Sequence, residues 1–254
     1  MSRTNHPLYF LGAGPGDPDL ITVKAQRILA RAEAVLYAGS LVPEEILQWC
    51  SPEAEIADSS SMTLEQTHSF LRQRLRDGLL VARVHTGDPA LYGAIREQIH
   101  LLEEEGLDYE IVPGITSAFA AAARAKVSYT LPERTQSLIL TRAAGRTTVP
   151  EGEDLRLLAE HGAAMAIYLS AANAESVQRQ LMEGGYPPDT PVVIAYRVGW
   201  PEERILKVRL EDMAETARRE QITRQALFLI LPGQEEEPVF SRLYSSKFSH
   251  GYRK

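Results

Sequence analysis

The stretch Leu8-Tyr-Phe-Leu-Gly-Ala-Gly-Pro-Gly-Asp17 decides the fold class. Leu8 to Leu11 is a short continuous apolar run, the pattern of a strand buried on both faces. Glycines break it at once, and Leu20, Val23 and Ile28 then return at helical spacing across Leu20 to Arg31. A strand passing through a tight glycine turn into a helix opens a βα unit. Outward from it the alternation repeats. Ala34 to Tyr37 reads as a second strand, Leu64 to Leu75 as a helix ending at Gly78, and Leu79 to Val84 as another buried strand. Asp88 as N-cap, Pro89 at the first position and the face Leu91, Ile95, Ile99 and Leu102 predict a helix over Pro89–Glu105. Gly106 follows it, and Tyr109 to Val112 is the next strand. Strands alternating with helices imply a mostly parallel sheet covered on both faces.

Pro113-Gly114 and an alanine-rich stretch, Ser117 to Ala125, separate this half from the next. Further strands are expected at Ser137–Thr141, Ala164–Leu169, Val192–Tyr196, Ile205–Val208 and Ala226–Leu231, with a helix over Ala174–Met182. Trp200-Pro-Glu-Glu203 lies in a connection too short for a helical crossover, so the strands flanking it form an antiparallel hairpin and the second sheet is mixed. The expectation is two α/β domains, 1–115 and 116–240, hinged near Val112–Ser117. A basic tail, 241–254, has the composition of a loose end.

Composition narrows the function. The 27 Lys and Arg against 34 Asp and Glu give a net charge of −7, which argues against a nucleic-acid binder with a broad basic face. An anionic partner therefore needs positive charge concentrated at its site. One cysteine, Cys50, excludes an intrachain disulfide and a multi-thiolate metal site. No apolar run approaches the ~20 residues of a membrane span, and Met1–Pro7 has no apolar signal core. A cytoplasmic protein with no membrane partner and no protein-bound metal is expected.

Three loops carry candidate chemistry, each at a strand end, where open α/β sheets bind ligands. In Gly12-Ala-Gly-Pro-Gly-Asp17, glycines allow close approach of backbone to ligand. The third glycine comes one residue too early for a dinucleotide fingerprint, and the second strand ends at Tyr37-Ala38-Gly39 with no acid to take a ribose hydroxyl. No Gly-Lys-Ser/Thr follows, so it is not a phosphate loop either. A nicotinamide enzyme is thereby disfavoured. The second loop is His85-Thr-Gly-Asp-Pro89, and the third is Pro113-Gly-Ile-Thr-Ser117.

In this order, the three loops resemble the motifs of the S-adenosyl-methionine-dependent tetrapyrrole (precorrin) methyltransferases, from about Pro7 to Pro232. Further stretches narrow the resemblance to the branch that methylates C-11 of precorrin-4 or cobalt-precorrin-4 in cobalamin synthesis. They are Tyr37-Ala-Gly-Ser-Leu-Val-Pro43, Leu131-Pro-Glu-Arg-Thr-Gln-Ser137, Thr141-Arg-Ala-Ala-Gly-Arg-Thr147, Tyr196-Arg-Val-Gly-Trp-Pro-Glu-Glu203, Leu243-Tyr244 and Phe248-Ser-His-Gly-Tyr-Arg253. The uroporphyrinogen branch instead has Asp where this chain has Ala38, and a basic residue near Ile56-Ala-Asp-Ser-Ser-Ser-Met62. Uroporphyrinogen is therefore rejected as substrate.

The resemblance implies two α/β domains with the ligand cleft between them, a tetrapyrrole polycarboxylate as substrate, and a homodimer. It places cofactor contacts at Pro15, Thr86, Gly87, Asp88, Leu91, Thr116 and Ser117, and, as second-domain positions, at Leu169, Val198, Ala226 and Leu227. Arg142, with Arg146, Arg197 and Arg96 behind it, is the candidate clamp for substrate carboxylates; Ser40 and Tyr92 are further candidate substrate contacts. No sequence feature names a catalytic base. Methylation at another ring carbon and a non-catalytic cofactor-binding module are the competing readings.

Overall fold

The computed structural model describes residues 7–234 and 251, so the expected tail, Gly251 apart, lies outside the described residues. The chain divides into two compact units. The first runs to Ala120 and takes in Val198–Pro201; the second comprises Ala121–Arg197 and the chain from Glu202. The boundary thus falls at Ala120 rather than 115, and one short segment of the second half returns to the first unit.

The first unit is built on β1 (Leu8–Gly12), β2 (Ala34–Tyr37), β3 (Glu55–Asp58), β4 (Val81–His85) and β5 (Tyr109–Val112). They form one sheet, wholly parallel, in the order β3-β2-β4-β1-β5. Every residue of β1, β2 and β4 is buried, as the apolar runs of β1 and β2 require; β4 buries Arg83 and His85 along with its apolar residues. On one face Leu11, Val35 and Val84 pack with Ile28 and Leu29 of α1 (Val23–Leu29). On the other, Leu8, Phe10 and Leu36 pack with Leu71 of α2 (Leu64–Arg76) and Leu102 of α3 (Ile95–Glu104). Each such side chain contributes roughly 1.5–3 kcal/mol through burial. α2 starts where a capping box starts it: Thr63 accepts from Gln66 N–H, and the Gln66 side chain accepts from Thr63 N–H.

One element departs from its sequence signals. The helix expected over Pro89–Glu105 begins only at Ile95. Tyr92 (φ 57°) and Ala94 (φ 48°) are left-handed, a conformation that cannot belong to a right-handed helix. Asp88 therefore does not cap α3; Pro89 opens a separate turn.

The second unit carries β6 (Leu138–Arg142), β7 (Ala164–Tyr168), β8 (Pro191–Tyr196), β9 (Arg204–Arg209) and β10 (Ala226–Ile230) in the order β6-β7-β10-β8-β9. β6 and β7 are parallel; the other pairs, the β8–β9 hairpin included, are antiparallel, so the sheet is mixed as expected. The unit boundary lies within the alanine-rich helix α4 (Ser117–Ala125). Helices α5 (Leu155–Ala159), α6 (Ala174–Glu183) and α7 (Met213–Arg219) supply Leu155, Val177, Leu181 and Met213 to a core with Ile167, Ile194 and Phe228.

Candidate active site

The order of the first sheet marks a ligand position. From β1 the chain crosses to β2 on one side, while from β4 it crosses to β5 on the other. β1 and β4 are neighbours, so their carboxyl ends flank a topological switch point, where parallel α/β sheets bind ligands. The three candidate loops leave the carboxyl ends of β1, β4 and β5, and they meet there.

Their meeting depends on glycine. Gly14 and Gly87 pair as an antiparallel bridge, Gly14 N–H donating to Gly87 O at 3.2 Å and Gly87 N–H to Gly14 O at 2.7 Å. Ala13 N–H donates to His85 O at 2.8 Å. A β-carbon at Gly114 would lie 2.0 Å from the Gly87 carbonyl oxygen, and one at Gly12 would lie 2.5 Å from Gly114 Cα. Only hydrogen side chains let the three backbones pack this closely.

Asp88 ties the same loops together. Its Oδ1 accepts from Ala90 N–H at 2.8 Å and its Oδ2 from Gly114 N–H at 3.0 Å, so one carboxylate joins the β4 loop to the β5 loop. Thr116 holds the N-cap position of α4, its carbonyl accepting from Phe119 and Ala120 N–H. The first loop is backed by Val198–Pro201: a β-carbon at Gly16 would meet Trp200 Cδ1 at 2.5 Å, and one at Gly199 would meet Asp17 N at 2.5 Å. Val198, counted among second-domain positions from the sequence, thus belongs with the first unit. Pro15, Thr116 and Val198 are buried; Thr86, Gly87, Asp88, Leu91 and Ser117 are half-buried; Ser40 and Tyr92 are exposed.

Within the second unit, one end of the sheet gathers the remaining candidates. Arg142 pairs with Tyr168 at the ends of β6 and β7, and Ala226 pairs with Tyr196 where β10 starts and β8 ends. Continuing the β7–β10 register sets Leu169 level with Ala226. Ala226 and Leu227 are buried, but Leu169 is 72 % exposed on left-handed backbone (φ 53°). A bulky residue in that conformation stores strain, and such strain collects at ligand sites. The Arg142 guanidinium is engaged within its own loop, donating to the carbonyls of Ala143, Thr147 and Thr148 at 3.4, 3.2 and 2.5 Å. Arg197 donates to Gln225 Oε1 and Glu202 Oε2 at 2.7 and 3.0 Å.

The sequence reading missed a buried polar group beneath the site. Arg83 is 7 % exposed and donates to Ser59 Oγ at 2.8 Å, Leu36 O at 3.4 Å and Gln98 Oε1 at 3.3 Å. Burial lowers its pKa to about 10, against the opposing pull of Asp58. A charged residue inside the apolar run Val81-Ala-Arg-Val84 was the available signal. His85, on the same face of β4, is 5 % exposed; burial first, then Arg83, lower its pKa to about 3, so its ring is neutral near pH 7.

A parallel sheet with interlocked glycine loops at its switch point, followed by a mixed sheet with a strained apolar residue at a strand end, defines a two-unit α/β ligand-binding protein. The model of the tetrapyrrole (corrin/porphyrin) methylases matches residues 7–214, and the chain belongs to that family. It is 47 % identical over 251 residues to the cobalt-precorrin-4 C(11)-methyltransferase of Priestia megaterium, covering 97 % of each chain. To the precorrin-4 C(11)-methyltransferase of Pseudomonas aeruginosa it is 44 % identical, covering 97 % of this chain and 98 % of the relative. The X-ray structure of a cobalt precorrin-4 methyltransferase superposes with a TM-score of 0.87 at 47 % identity, covering 91 % of this chain and 97 % of that one. Uroporphyrin-III C-methyltransferase from Thermus thermophilus, solved with S-adenosyl homocysteine, gives 0.72 at 26 % identity, covering 88 % and 91 %.

Proposed function

We propose that this chain transfers the methyl group of S-adenosyl-methionine to C-11 of precorrin-4, or of its cobalt chelate, in the building of the cobalamin ring. The observation that carries the C-11 reading is the 47 % identity, over 97 % of each chain, to a cobalt-precorrin-4 C(11)-methyltransferase; the three-loop glycine interlock, formed by motifs that resemble those of the tetrapyrrole methyltransferases as a whole, supports methyl transfer at the switch point. The residues present fit the cofactor at Leu169, whose apolar side chain is left 72 % exposed and would be covered by an adenosyl or thioether surface. The proposed cofactor contacts are Pro15, Thr86, Gly87, Asp88, Leu91, Thr116, Ser117, Leu169, Val198, Ala226 and Leu227. Ser40, Tyr92 and Arg142 are the proposed tetrapyrrole contacts.

Bound S-adenosyl-methionine supplies a sulfonium methyl with a good leaving group. The chain's own task is to hold a nucleophilic ring carbon in line with that methyl and exclude water. Orientation of this kind can supply about 7–11 kcal/mol of a barrier, so a rigid loop constellation is a sufficient main device. Carbonyls fix Arg142 in one direction, and a pre-set guanidinium loses little entropy on meeting a substrate carboxylate. The enzyme works in the cytoplasm as a homodimer. Incubation of the protein with precorrin-4 or cobalt-precorrin-4 and methyl-labelled S-adenosyl-methionine, followed by mass spectrometry, tests the reading. One added labelled methyl is expected; cofactor binding without label transfer to either form would leave only a binding module.

A further inference from the structure

Arg83 stands in the middle of β4, 7 % exposed, and its guanidinium is shared between two loops. Burying a charge costs the fold desolvation energy that an apolar residue in Val81-Ala-Arg-Val84 would not, and replacing buried charges by apolar residues is often stabilising. Stability is therefore a poor account of this residue. What it supplies is a join, because a planar guanidinium donates in more than one fixed direction.

One arm reaches the loop after β2. Arg83 Nη1 donates to Ser59 Oγ at 2.8 Å and to Leu36 O at 3.4 Å. Ser59 Oγ donates in turn to the carbonyl of Tyr37, the last residue of β2, at 3.0 Å. Next to Ser59, Asp58 Oδ1 accepts from Gly39 N–H at 2.8 Å. A β-carbon at Gly39 would lie 2.5 Å from Asp58 Oδ2, so the loop sits closely against the end of β3, and Ser40 follows it directly. The other arm reaches the turn after β4. Arg83 Nε donates to Gln98 Oε1 at 3.3 Å, and Gln98 Nε2 donates to Ala94 O at 3.1 Å. Gln98 is 6 % exposed, and Tyr92 and Ala94 in this turn are both left-handed. Backbone of that kind persists only where its surroundings impose it.

The loops proposed to take the cofactor are fastened by other bonds. The Gly14–Gly87 bridge and the Asp88 carboxylate, on Ala90 N–H and Gly114 N–H, hold them together, and the Asp88 carbonyl accepts from Leu91 N–H at 3.2 Å. Arg83, Ser59 and Gln98 take part in none of these. We propose that Arg83 is a positioning residue for the tetrapyrrole: through Ser59 and Gln98 it holds the segments that carry Ser40 and Tyr92 at a fixed spacing, apart from the loops that take the cofactor. The inference rests on the proposed function, in which those two exposed side chains meet the tetrapyrrole.

Three variants test it. Arg83→Lys keeps the charge but has no fork to span both arms, and weakens tetrapyrrole binding about tenfold or more. Ser59→Ala and Gln98→Glu break one arm each and weaken it about threefold to tenfold, the effect of one lost buried hydrogen bond. Gln98→Glu separates positioning from packing. Its carboxylate still accepts from Arg83, so the buried charge stays paired and the melting temperature holds, but it has no N–H for the Ala94 carbonyl. S-adenosyl-homocysteine affinity stays within about twofold in all three.

The measurement is calorimetric titration of precorrin-4, and separately of cobalt-precorrin-4, onto the full chain saturated with S-adenosyl-homocysteine. Titration of S-adenosyl-homocysteine itself and steady-state methyl-transfer kinetics run alongside, with a rise in the tetrapyrrole KM expected to exceed any fall in kcat. Wild-type tetrapyrrole affinity in Arg83→Lys or Gln98→Glu, or loss of S-adenosyl-homocysteine affinity in step with it, would overturn the proposal. If Arg83→Lys fails to fold, Ser59→Ala and Gln98→Glu carry the same comparison. A wild-type protein that binds a tetrapyrrole and transfers no methyl group would overturn the functional reading alone, and the dissociation constants would still decide this inference. A wild-type protein that binds neither tetrapyrrole would overturn both.

Discussion

The two ends of the first sheet use the same residue for different reasons. At the amino ends of β4 and β5, Gly78 and Gly106 follow α2 and α3 in left-handed conformation (φ +79° and +67°), and a β-carbon on either would meet nothing within 4 Å. They are there for backbone freedom alone, as helix C-caps. At the carboxyl ends, Gly12 and Gly114 are not in left-handed backbone, yet a β-carbon would strike a neighbouring loop at 2.5 and 2.0 Å. At the amino end glycine serves its dihedral angles alone; at the carboxyl end Gly12 and Gly114 serve by their missing volume, while Gly87 (φ +60°), whose β-carbon would meet nothing closer than 3.8 Å, again serves by its dihedral angles. The lesson is that a glycine's value to function is read from what surrounds it.

Gly114→Ala attacks that contrast most strongly. The new methyl must push the β5 loop off Gly87, breaking the Asp88 bond to Gly114 N–H. Overpacking of this kind costs about 1–3 kcal/mol. Affinity for S-adenosyl-homocysteine should fall about a hundredfold or more by calorimetry, the loss of roughly two proposed backbone and side-chain contacts. Wild-type affinity in Gly114→Ala would break the comparison outright.

Leu169→Gly asks whether strain in the second unit serves binding. Glycine adopts φ 53° freely, and the leucine side chain is mostly solvated, so thermal stability should hold or rise while S-adenosyl-homocysteine binding weakens about tenfold. A fall in melting temperature with unchanged affinity would make Leu169 a packing residue instead.

A smaller effect concerns acid stability at the carboxyl end of β4. The folded-state pKa of His85, about 3, lies below the ordinary 6.5. The unfolded chain therefore binds the extra proton first, and stability is full above about pH 6.5 and is lost as pH falls toward 3. The slope from this one group approaches about 1.4 kcal/mol per pH unit. Urea unfolding of wild type and His85→Asn at pH 6.5, 5.5 and 4.5 should show the wild type losing stability faster; parallel curves would mean that the ring is not neutral in the fold.

The smallest effect belongs to the amino end. Gly106→Ala introduces only left-handed strain, about 1 kcal/mol, and should leave methyl transfer unchanged. An activity loss there would show that the two ends are coupled.

How far the sequence could be read follows the same division between local and long-range causes. Strands β1 and β2 are unbroken apolar runs and announce themselves, and β4 does so through the apolar residues from Leu79 to Val84 despite Arg83 among them. β3 does not, because it is an edge strand with mostly exposed residues and no apolar run of its own. The late start of α3 is hidden for another reason. Asp88-Pro89 is a sound local helix signal, but Asp88 bonds across to Gly114, and that tertiary demand reshapes the following turn. The three glycine loops were legible as strand-end turns and, through their order, as a family resemblance. Their interlock was not, since it depends on residues far apart in sequence, such as Gly12 and Gly114. Val198 was placed with the wrong half because a four-residue return to the first unit leaves no compositional trace.

The central claim is that this site methylates a defined ring carbon. Carbon-13 NMR of the tetrapyrrole product, made from methyl-labelled S-adenosyl-methionine with precorrin-4 and, separately, cobalt-precorrin-4, tests it most directly. The account predicts a single enriched methyl bonded to C-11 from one of the two substrates; enrichment at any other carbon, or none from either while cofactor binding is intact, would contradict it.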